Sequence, residues 1–518
     1  MDPGTTASRP DFDFVVVGAG TAGCVMAARL SEDASARVLL LEAGGGRPLA
    51  RMAVPPAWPA LAGTSADWAS TSAVGAATGT SIPLPRGRGL GGSSAINGMA
   101  FIRGHRSSYD AWAGAAAKDW GFEDLLPFMR HSEHAAGRDP AVRGVGGPLT
   151  VGPARWPHPV AEAGLAAAAS LGYPIAADIN SGLEEGFGWS DLNIVDGRRQ
   201  SAADAYLTPA LDRPNLTVLT GALVHRVEIK GGRCTGVEYI VGSQVSRAGC
   251  RGDVILTAGT IGSAQLLMLS GIGPAAHLRG VGVEVVLDLP GVGGNLHDHP
   301  RSTVIYRAAR PLPAAVNNHG EVVGLIRSEP AVDALDLQIQ IIDAPLYAPA
   351  LPPRLAEPGQ GFSIAFSAIT PSSRGSVRLV SADPAAAPLV DPNYYADSRD
   401  IAVMTTGLRV ARAIGRAAAM DAWRDEEVLP GPAVEDDDRV RTYLYQSLRT
   451  YSHHVGTCRI GPDDMAVVDP SLRVHGIEGL RVADASVMPS IVSANINATV
   501  YGIAERAAAL IGQQADKP

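Results

Sequence analysis

Phe12-Asp13-Phe14-Val15-Val16-Val17-Gly18-Ala19-Gly20-Thr21-Ala22-Gly23 is the stretch that says most about the fold. Its first half is apolar and β-branched with no polar alternation after Asp13, which is typical of a parallel strand buried on both faces. Its second half is a G-x-G-x-x-G hexapeptide, in which Gly18 permits a tight turn, Gly20 lets a pyrophosphate approach the backbone and Gly23 allows close helix packing. We predict a strand, a turn and a helix here.

The following residues complete a strand, turn, helix, strand unit. Cys24–Leu30 is compatible with a helix, and Val38–Leu41 is typical of a second buried strand, closed by Glu42. A helix N-terminus offers N–H groups and a positive dipole to phosphates, and Glu42 is positioned to accept hydrogen bonds from a ribose diol. The hexapeptide alone is weak evidence because glycine-rich turns are common, but this context favours a dinucleotide site over a plain turn.

Composition narrows the class of protein. The chain has 518 residues, so we expect two domains or one large α/β domain with insertions. A formal net charge of −9 without a long basic patch argues against binding to nucleic acids or to anionic membrane surfaces. The cysteines are too few and too scattered for a disulfide scaffold or a zinc site, which favours a reducing cytoplasm; they are Cys24, Cys234, Cys250 and Cys458.

Two segments bear on targeting and membrane insertion. Met1–Pro10 is polar and lacks the apolar region of a secretory signal, so we expect a frayed tail. Ser486–Ala504 is uncharged, but Pro489, Gly502 and several Ser and Asn residues make it a poor lipid-facing helix. We therefore predict no membrane span and a cytoplasmic location.

A second glycine cluster runs from Arg86 to Gly98. Such glycine density is costly to order and is seldom kept for packing alone. Small residues let a planar ring lie against the backbone, and Ser93 and Asn97 can hydrogen-bond its polar edge. Taken alone, the cluster fits an ordinary loop as readily as a cofactor bed.

The middle of the chain predicts several elements. Gly259–Gly273 is typical of a strand exit, a helix with an apolar core-facing stripe and a glycine C-cap. Between Thr303 and Val380, segments such as Asp336–Ile342 alternate like strands with one wetted face, which predicts an antiparallel sheet in a second domain. The acidic run Glu435–Asp438 is typical of a solvated helix start.

His453-His454-Val455-Gly456-Thr457-Cys458 and the later Ser493–Asn497, with its two amides, contain the candidate chemistry. The pair His453-His454 and the run His297–His299 also contain metal-ligand residue types. Neighbouring residues of a strand point to opposite faces and rarely converge on one ion, so we predict no metal site. We interpret His299 as structural.

Several motifs together, in one order and over nearly the whole chain, resemble the glucose–methanol–choline (GMC) flavoprotein oxidoreductases. The segment Gly87–Asp110 is similar to the first signature of that family, and Gly259–Gly273 to the second, with Ala264 where Pro or Ser is usual. Pro290–His299 resembles the family's loop between domains, and Arg481–Ser486 its late flavin-contacting strand end.

The resemblance implies an α/β fold with a Rossmann-like FAD-binding domain and a discontinuous α+β substrate domain built on an antiparallel sheet. It implies a monomer or a homodimer. The FAD-binding domain would comprise residues 11–50, 85–129, 215–299 and 461–514, and the substrate-binding domain residues 130–214 and 300–460.

The resemblance also implies which residues contact FAD. Val224 would lie at the adenine, Asp484 near the ribityl and pyrophosphate groups, and Ala498 with Thr499 beside the pyrimidine edge. Ile96 occupies the position that holds His in members with covalent flavin, so we predict non-covalent FAD. The implied FAD contacts are Gly18, Gly20, Thr21, Ala22, Gly23, Glu42, Ala43, Arg88, Gly91, Gly92, Ser93, Asn97, Gly98, Met99, Ala100, Val224, Asp484, Ala485, Ala498 and Thr499.

For catalysis, His453 matches the family's histidine, because one residue separates it from Val-Gly-Thr, and His454 takes the variable position. The second catalytic position holds His or Asn in the family, and the register to the downstream helix favours Asn497 over Asn495. Alcohol oxidation removes a hydroxyl proton and a hydride, so it needs a positioned base and a hydride acceptor. A neutral imidazole takes the proton near neutral pH, and flavin N5 takes the hydride.

Three classes of function compete. The leading one is an FAD-dependent alcohol oxidase or dehydrogenase that acts on a small-molecule CH–OH donor and passes electrons to oxygen or another acceptor. The second is a hydroxynitrile lyase-like flavoprotein without net redox change. The third, a non-catalytic flavin-binding protein, conflicts with the presence of both His453 and Asn497. No acidic or aromatic cage can be assigned, so choline-type recognition has no positive support.

Overall fold

The computed structural model describes residues 12–115, 117–351 and 356–515. The predicted frayed tail, Met1–Pro10, and residue Asp11 at the start of the predicted FAD-binding domain lie outside the described residues. Within the described residues, no helix combines the length and the apolar character needed to cross a bilayer. All four cysteines are buried free thiols.

The strands of the described residues, in chain order, are β1 (Phe12–Val17), β2 (Val38–Glu42), β3 (Ser70–Thr71), β4 (Pro83–Leu84), β5 (Ala100–Phe101), β6 (Glu133–His134), β7 (Leu149–Thr150), β8 (Gly152–Pro153), β9 (Gly186–Trp189), β10 (Asp191–Leu192), β11 (Ile194–Val195), β12 (Arg198–Arg199), β13 (Leu216–Thr220), β14 (Ala222–Lys230), β15 (Arg233–Val241), β16 (Gln244–Leu256), β17 (Ile272–Gly273), β18 (Leu287–Asp288), β19 (Pro300–Ala308), β20 (Val322–Ile326), β21 (Leu337–Ile342), β22 (Gly361–Ala368), β23 (Ser376–Arg378), β24 (Leu389–Asp391), β25 (Arg424–Leu429), β26 (Arg449–Thr450) and β27 (Leu480–Val482).

The α-helices of the described residues are α1 (Thr21–Leu30), α2 (Arg106–Ala115), α3 (Phe122–Ser132), α4 (Pro159–Ser170), α5 (Gly259–Leu269), α6 (Ala275–Gly280), α7 (Ser398–Arg416), α8 (Asp437–Gln446) and α9 (Asn497–Ala515). Short 3₁₀ or π turns lie at Ala50–Ala53, Pro55–Leu61, Gly92–Ala95, Ala203–Leu207, Thr208–Ala210, Ala418–Met420 and Ala485–Val487.

The first large sheet contains the predicted strand, turn, helix, strand unit. Strands β13, β2, β1, β16 and β27 run parallel in that order, so β1 is central, with Val15 opposite Leu39 on one side and Val254 on the other. The strand residues Val15–Val17 are buried, as expected for a strand covered on both faces. Helix α1 packs against α9 and lies over this sheet.

The same sheet has an antiparallel extension. The long strand β16 leaves the parallel part and pairs antiparallel with β15, which pairs antiparallel with β14. The predicted Rossmann-like α/β architecture is therefore confirmed, with one strand shared between a parallel and an antiparallel region.

The second large sheet is antiparallel, in the order β25, β19, β22, β21, β20, β9, with β26 also paired to β19. It confirms the antiparallel sheet predicted from Thr303 onwards. The expected wetted face is wrong for β21, whose six residues are all buried, including Gln338 and Gln340. Their amides hydrogen-bond to Tyr451, which covers this face.

Two further predictions agree with the structure. Helix α5 spans Gly259–Leu269 and is followed by Gly271 at φ 82°, a conformation that suits glycine after a helix end. Helix α8 begins directly after the N-cap Asp436, inside the acidic run. The predicted domain boundaries stay a prediction.

Candidate active site

The predicted phosphate turn lies at the carboxyl end of the central strand β1. Gly18 has φ 100°, and its N–H donates to Leu41 O at 2.7 Å. A Cβ on Gly23 would lie 1.8 Å from Gly18 O, so only glycine permits this crossing of α1 over the strand. Gly20 is the N-cap of α1 and supplies no side-chain cap, which leaves the first-turn N–H groups available to an anion.

Glu42 ends β2 beside this turn. Its Oε2 accepts from Ala19 N at 2.8 Å, and its Oε1 accepts from Gly44 N at 2.7 Å and Gly89 N at 3.0 Å. Burial raises the pKa of this carboxyl, although the three N–H donors oppose that shift. A carboxylate has about four lone-pair sites, so acceptor capacity remains for a ribose diol.

The second glycine cluster lies against the first. Gly91 N donates to Ala19 O at 2.8 Å, and a Cβ on Gly92 would lie 2.7 Å from the Cα of Gly20. The hydroxyl of Ser93 accepts from Gly87 N at 3.1 Å. The two glycine segments, distant in sequence, thus pack backbone against backbone and form one glycine-rich surface, which fits a bound planar and pyrophosphate-bearing cofactor such as FAD.

The amide of Asn97 is already engaged within this surface. Its Oδ1 accepts from Met99 N at 3.0 Å and from Arg199 Nη1 at 2.7 Å. Met99, at φ 55°, is a buried non-glycine residue in the left-handed region. The bond to Arg199 was not predicted, because it joins positions 102 residues apart.

The remaining predicted FAD contacts are spread around this surface. Asp484 Oδ2 accepts from Gly259 N at 2.9 Å and Ser263 Oγ at 2.6 Å, and burial raises its pKa. Thr499 is buried and bonds Tyr109 Oη at 2.8 Å. The others lie in or beside named elements: Thr21 and Ala22 in α1, Ala43 after β2, Arg88 over the Trp68 ring, Gly98 against Trp58, Ala100 in β5, Val224 in β14, Ala485 in a 3₁₀ turn and Ala498 in α9.

His453 lies in the loop after β26 and is 8% exposed. Its backbone N–H donates to Asp298 Oδ1 at 2.7 Å, while Asp298 Oδ2 accepts from Thr450 and Tyr394 hydroxyls. Ser452, just before it, has φ 63°. Asp298 therefore ties the loop to the start of β19 in the second large sheet and fixes where the imidazole lies.

The imidazole of His453 is held neutral. Burial lowers its pKa well below the ordinary value, and the neighbouring His299, Arg86 and Arg301 lower it further. Both effects disfavour the imidazolium form. A neutral imidazole is the form that accepts a proton.

His299 determines which nitrogen of His453 is free. The Nε2 of His299 lies 3.0 Å from Ile369 O, and a carbonyl only accepts, so this nitrogen carries the hydrogen. Burial lowers the pKa of His299 to about 4, so its Nδ1 is bare and accepts. His453 Nδ1, 2.9 Å away, must then be the donor, which leaves a lone pair on His453 Nε2.

Tyr451 and two glutamines of β21, Gln338 and Gln340, form a network next to His453. The Tyr451 ring stacks on the imidazole with centroids 4.5 Å apart, and its hydroxyl bonds both Gln340 Oε1 and Gln338 Nε2. Gln338 Nε2 also donates to Asn495 Oδ1 at 3.2 Å. Asn495 thus belongs to the network around His453.

Asn497 lies elsewhere. It is the first residue of α9, and its Oδ1 accepts from Thr21 Oγ1 at 2.9 Å at the start of α1. The choice of Asn497 over Asn495 as the partner of His453 conflicts with these contacts. A helix start directs its side chain differently from the preceding loop, and spacing to the helix does not reveal this.

The other histidines of the motifs are buried too. His454 is fully buried beside Arg86, and burial lowers its pKa to about 4. His297 Nδ1 accepts from Ile491 N at 3.1 Å. No group of three or more His, Cys, Asp or Glu side chains within the described residues has the geometry to hold a metal ion. His299, which we interpreted as structural, contacts His453 directly. The sequence feature that could have indicated this contact is the position of His299 just before β19.

Comparisons with known proteins identify the family of the chain. Two family profiles described as GMC oxidoreductase match residues 12–301 and 371–504. The chain is similar to mitochondrial choline dehydrogenase of Homo sapiens, with 38% identity over 98% of this chain and 91% of that protein. It is 36% identical to oxygen-dependent choline dehydrogenase of Brucella canis, over 96% and 94% of the two chains.

Solved structures show the same likeness. The pyridoxine 4-oxidase from Mesorbium loti has a TM-score of 0.93 at 37% identity, covering 96% of this chain and 99% of that one. A fungal aryl-alcohol oxidase has a TM-score of 0.85 at 25% identity, covering 98% and 100%. The chain therefore belongs to the GMC oxidoreductase family and is an FAD-dependent oxidoreductase that acts on CH–OH donors.

Proposed function

We propose that this enzyme oxidises a small-molecule alcohol to the carbonyl with His453 as the general base. The observation that carries this proposal is the hydrogen bond between His453 Nδ1 and His299 Nδ1, at 2.9 Å, with His299 Nε2 donating to Ile369 O. It leaves the Nε2 lone pair of a neutral imidazole to take the hydroxyl proton of the substrate.

FAD, when bound along the two glycine segments, supplies the hydride acceptor at N5. Its phosphates would lie at the uncapped N-terminus of α1, and its ribose at Glu42. The predicted contacts at Ser93, Asp484 and Thr499 are proposed to hold the rest of the cofactor. Since Ile96 offers no nucleophile, we propose non-covalent attachment, with electrons passed to oxygen or another acceptor.

Asn495 is the proposed partner of His453 at the substrate oxygen. Gln338 Nε2 holds its Oδ1 at 3.2 Å, which directs the amide nitrogen away from Gln338 and leaves it as a donor. An amide does not titrate, so it would orient the carbinol oxygen at every pH. Tyr451, stacked on the imidazole, excludes water from one face of His453.

The test is anaerobic mixing of the FAD-loaded enzyme with a panel of alcohols, including choline, pyridoxine and benzyl alcohol, the kinds of substrate that the relatives' names suggest. At least one alcohol should bleach the oxidised flavin absorbance. His453→Ala should slow that bleaching about 10²–10⁴-fold, the usual contribution of a positioned acid–base group.

The matched control is His131→Ala, which alters a side chain 60% exposed on α3. It should bleach at the wild-type rate. Bleaching of the His453→Ala flavin at the wild-type rate, with FAD bound, would remove His453 from the mechanism. Cleavage of a hydroxynitrile without any flavin bleaching would favour the lyase instead.

A further inference from the structure

Two arginines beside the proposed base carry charge without an acidic partner. Arg301 in β19 and Arg449 in β26 face each other across an antiparallel pair. Arg301 is 7% exposed, neither arginine forms an ion pair within the described residues, and Arg301 Nε has no hydrogen-bond partner there. Arg449 Nη1 donates only to a backbone carbonyl, that of Tyr347, at 2.8 Å.

Some buried arginines elsewhere in this protein are neutralised, whereas the buried Arg199 instead donates to two backbone carbonyls and the Asn97 amide. Arg143 is fully buried with Glu133, Asp178 and Asp191 around its guanidinium. Burial alone would lower its pKa, but those carboxylates outweigh burial and raise it. Burial lowers the pKa of Arg301, and Tyr451 and Asp298 do not restore it. Since arginine keeps its proton in proteins, Arg301 is a buried positive charge that no carboxylate of the described residues neutralises.

Asp298 is the carboxylate that raises the pKa of Arg301, but both of its oxygens accept hydrogen bonds from other groups. One oxygen of Asp298 accepts the His453 N–H, and the other accepts the hydroxyls of Thr450 and Tyr394. Its carboxylate holds the catalytic loop and does not pair with the guanidinium.

Arg301 is one of three residues, in one row across the second large sheet, that each have a buried polar atom without a hydrogen-bond partner among the described residues. In the sheet, Arg301 is directly opposite Ser367 on β22, and Ser367 is directly opposite Gln338 on β21. Directly opposed residues of antiparallel strands point to the same face. Arg301 Nε, Ser367 Oγ and Gln338 Oε1 are all buried with no partner within the described residues, which is rare in a finished core.

This row faces the proposed catalytic centre. The Arg301 guanidinium lies 4.8 Å from the centroid of the Tyr451 ring, and that ring stacks on His453. Gln338, at the other end of the row, bonds Asn495. A ligand group that satisfied the row would lie against Tyr451, the residue that stacks on His453, and beside Gln338, which bonds Asn495.

We propose that this row binds a carboxylate group of the substrate, so that the enzyme oxidises an anionic hydroxy compound. The guanidinium fork of Arg301 matches a carboxylate in shape and charge, and the Ser367 hydroxyl adds a donor. Gln338 Oε1 accepts from a second polar group of the ligand. A cationic alcohol such as choline would meet two like charges. The inference rests on the proposed function, because it names the substrate class of the same site.

The test measures binding of benzoate and of its neutral counterpart benzamide to the FAD-loaded enzyme by calorimetry, with no alcohol present. Benzoate should bind about 10–100-fold more tightly, the gain expected for hydrogen bonds to a charged group. Arg301→Gln should remove that preference and leave benzamide binding unchanged. Arg307→Gln, near the exposed end of the same strand, should leave both affinities as in the wild type.

If Arg301→Gln does not fold, Ser367→Ala replaces it and should weaken benzoate about two- to tenfold, the share of one neutral donor. Equal binding of benzoate and benzamide to the wild type would overturn the proposal. So would an undiminished preference for benzoate in the folded Arg301→Gln variant, or a wild-type benzoate affinity in Ser367→Ala. Because no turnover is measured, this result is independent of whether His453 acts as the base.

Discussion

His299 is the residue that sets the tautomer of His453, the proposed base. In the proposed mechanism it is a positioning residue, since it acts through the His453 Nδ1 hydrogen bond. We expect His299→Leu to lower kcat about 10–10²-fold, the size of effect seen when a buried partner of an active-site imidazole is removed. The measurement is steady-state turnover per bound flavin.

A conservative variant separates this role from simple packing. The Oδ1 of His299→Asn replaces the accepting Nδ1, so His453 keeps its Nδ1 hydrogen and most of the turnover should return. Equal losses in the Leu and Asn variants, with FAD bound in both, would argue that His299 only fills space.

Asn495 and Asn497 make opposite predictions. Asn495→Ala should lower kcat while the flavin stays bound, because Asn495 lies in the network of Gln338 and Tyr451. Asn497→Ala should instead weaken FAD binding, because its amide joins α9 to Thr21 at the phosphate turn. Flavin content and turnover per flavin, measured on both variants, distinguish the two amides. The reverse pattern would restore Asn497 as the partner of His453.

The site was only partly predictable from the sequence. Local spacing indicates His453 and the Ser493–Asn497 segment as candidate site residues, because a short motif of polar residues next to glycine can be recognised in the sequence. The contact of His299 with His453 joins residues 154 positions apart, and no local pattern contains it. Side-chain direction at the start of α9 is likewise set by packing against α1, so the register favoured Asn497 where the contacts favour Asn495.

At the scale of elements, the crossing of α1 over β1 shapes the proposed phosphate turn. A Cβ on Gly23 would meet Gly18 O at 1.8 Å and Thr257 Oγ1 at 2.8 Å. Gly23→Ala must therefore push α1 away from the turn, at a cost of about 1–3 kcal/mol for an overpacked core. We expect this variant to lose most of its FAD affinity, measured by flavin retention on gel filtration.

The control for this change is Gly114→Ala near the end of α2, where a Cβ meets nothing within 4 Å. It should bind FAD normally and gain up to about 1 kcal/mol in stability from the better helix former. Full flavin retention in Gly23→Ala would show that the helix crossing does not set the phosphate turn.

The positions of strands were easier to predict from the sequence than which of their faces are buried. The parallel unit at β1 and β2 was predictable because continuous apolar runs are typical of doubly covered strands. For β21 the alternation of Gln with Ile indicated one wetted face, yet Gln338 and Gln340 are buried. That face is covered by the loop carrying Tyr451, which comes from more than 100 residues later in the chain, and alternation alone cannot distinguish water from a polar active site.

For the whole molecule, four buried histidines link stability to pH. Burial lowers the pKa of His299 and His454 to about 4 and that of His297 and His453 well below the ordinary value. In the unfolded chain each has a pKa near 6.5, so below that pH the unfolded state binds protons that the folded state does not. The stability that these neutral histidines contribute is therefore fully present above pH 6.5 and is lost as the pH falls.

Each of these histidines should contribute a slope of up to about 1.4 kcal/mol per pH unit below 6.5. His297→Asn removes one of them, and its Oδ1 can still accept from Ile491 N, the role of the present Nδ1. Thermal unfolding of the FAD-saturated proteins at pH 6.5 and 5.0, above most carboxylate titration, should show a smaller loss of Tm for His297→Asn than for wild type. A wild-type Tm that rises or stays constant over this range would contradict the assignment of neutral, buried imidazoles around the active site.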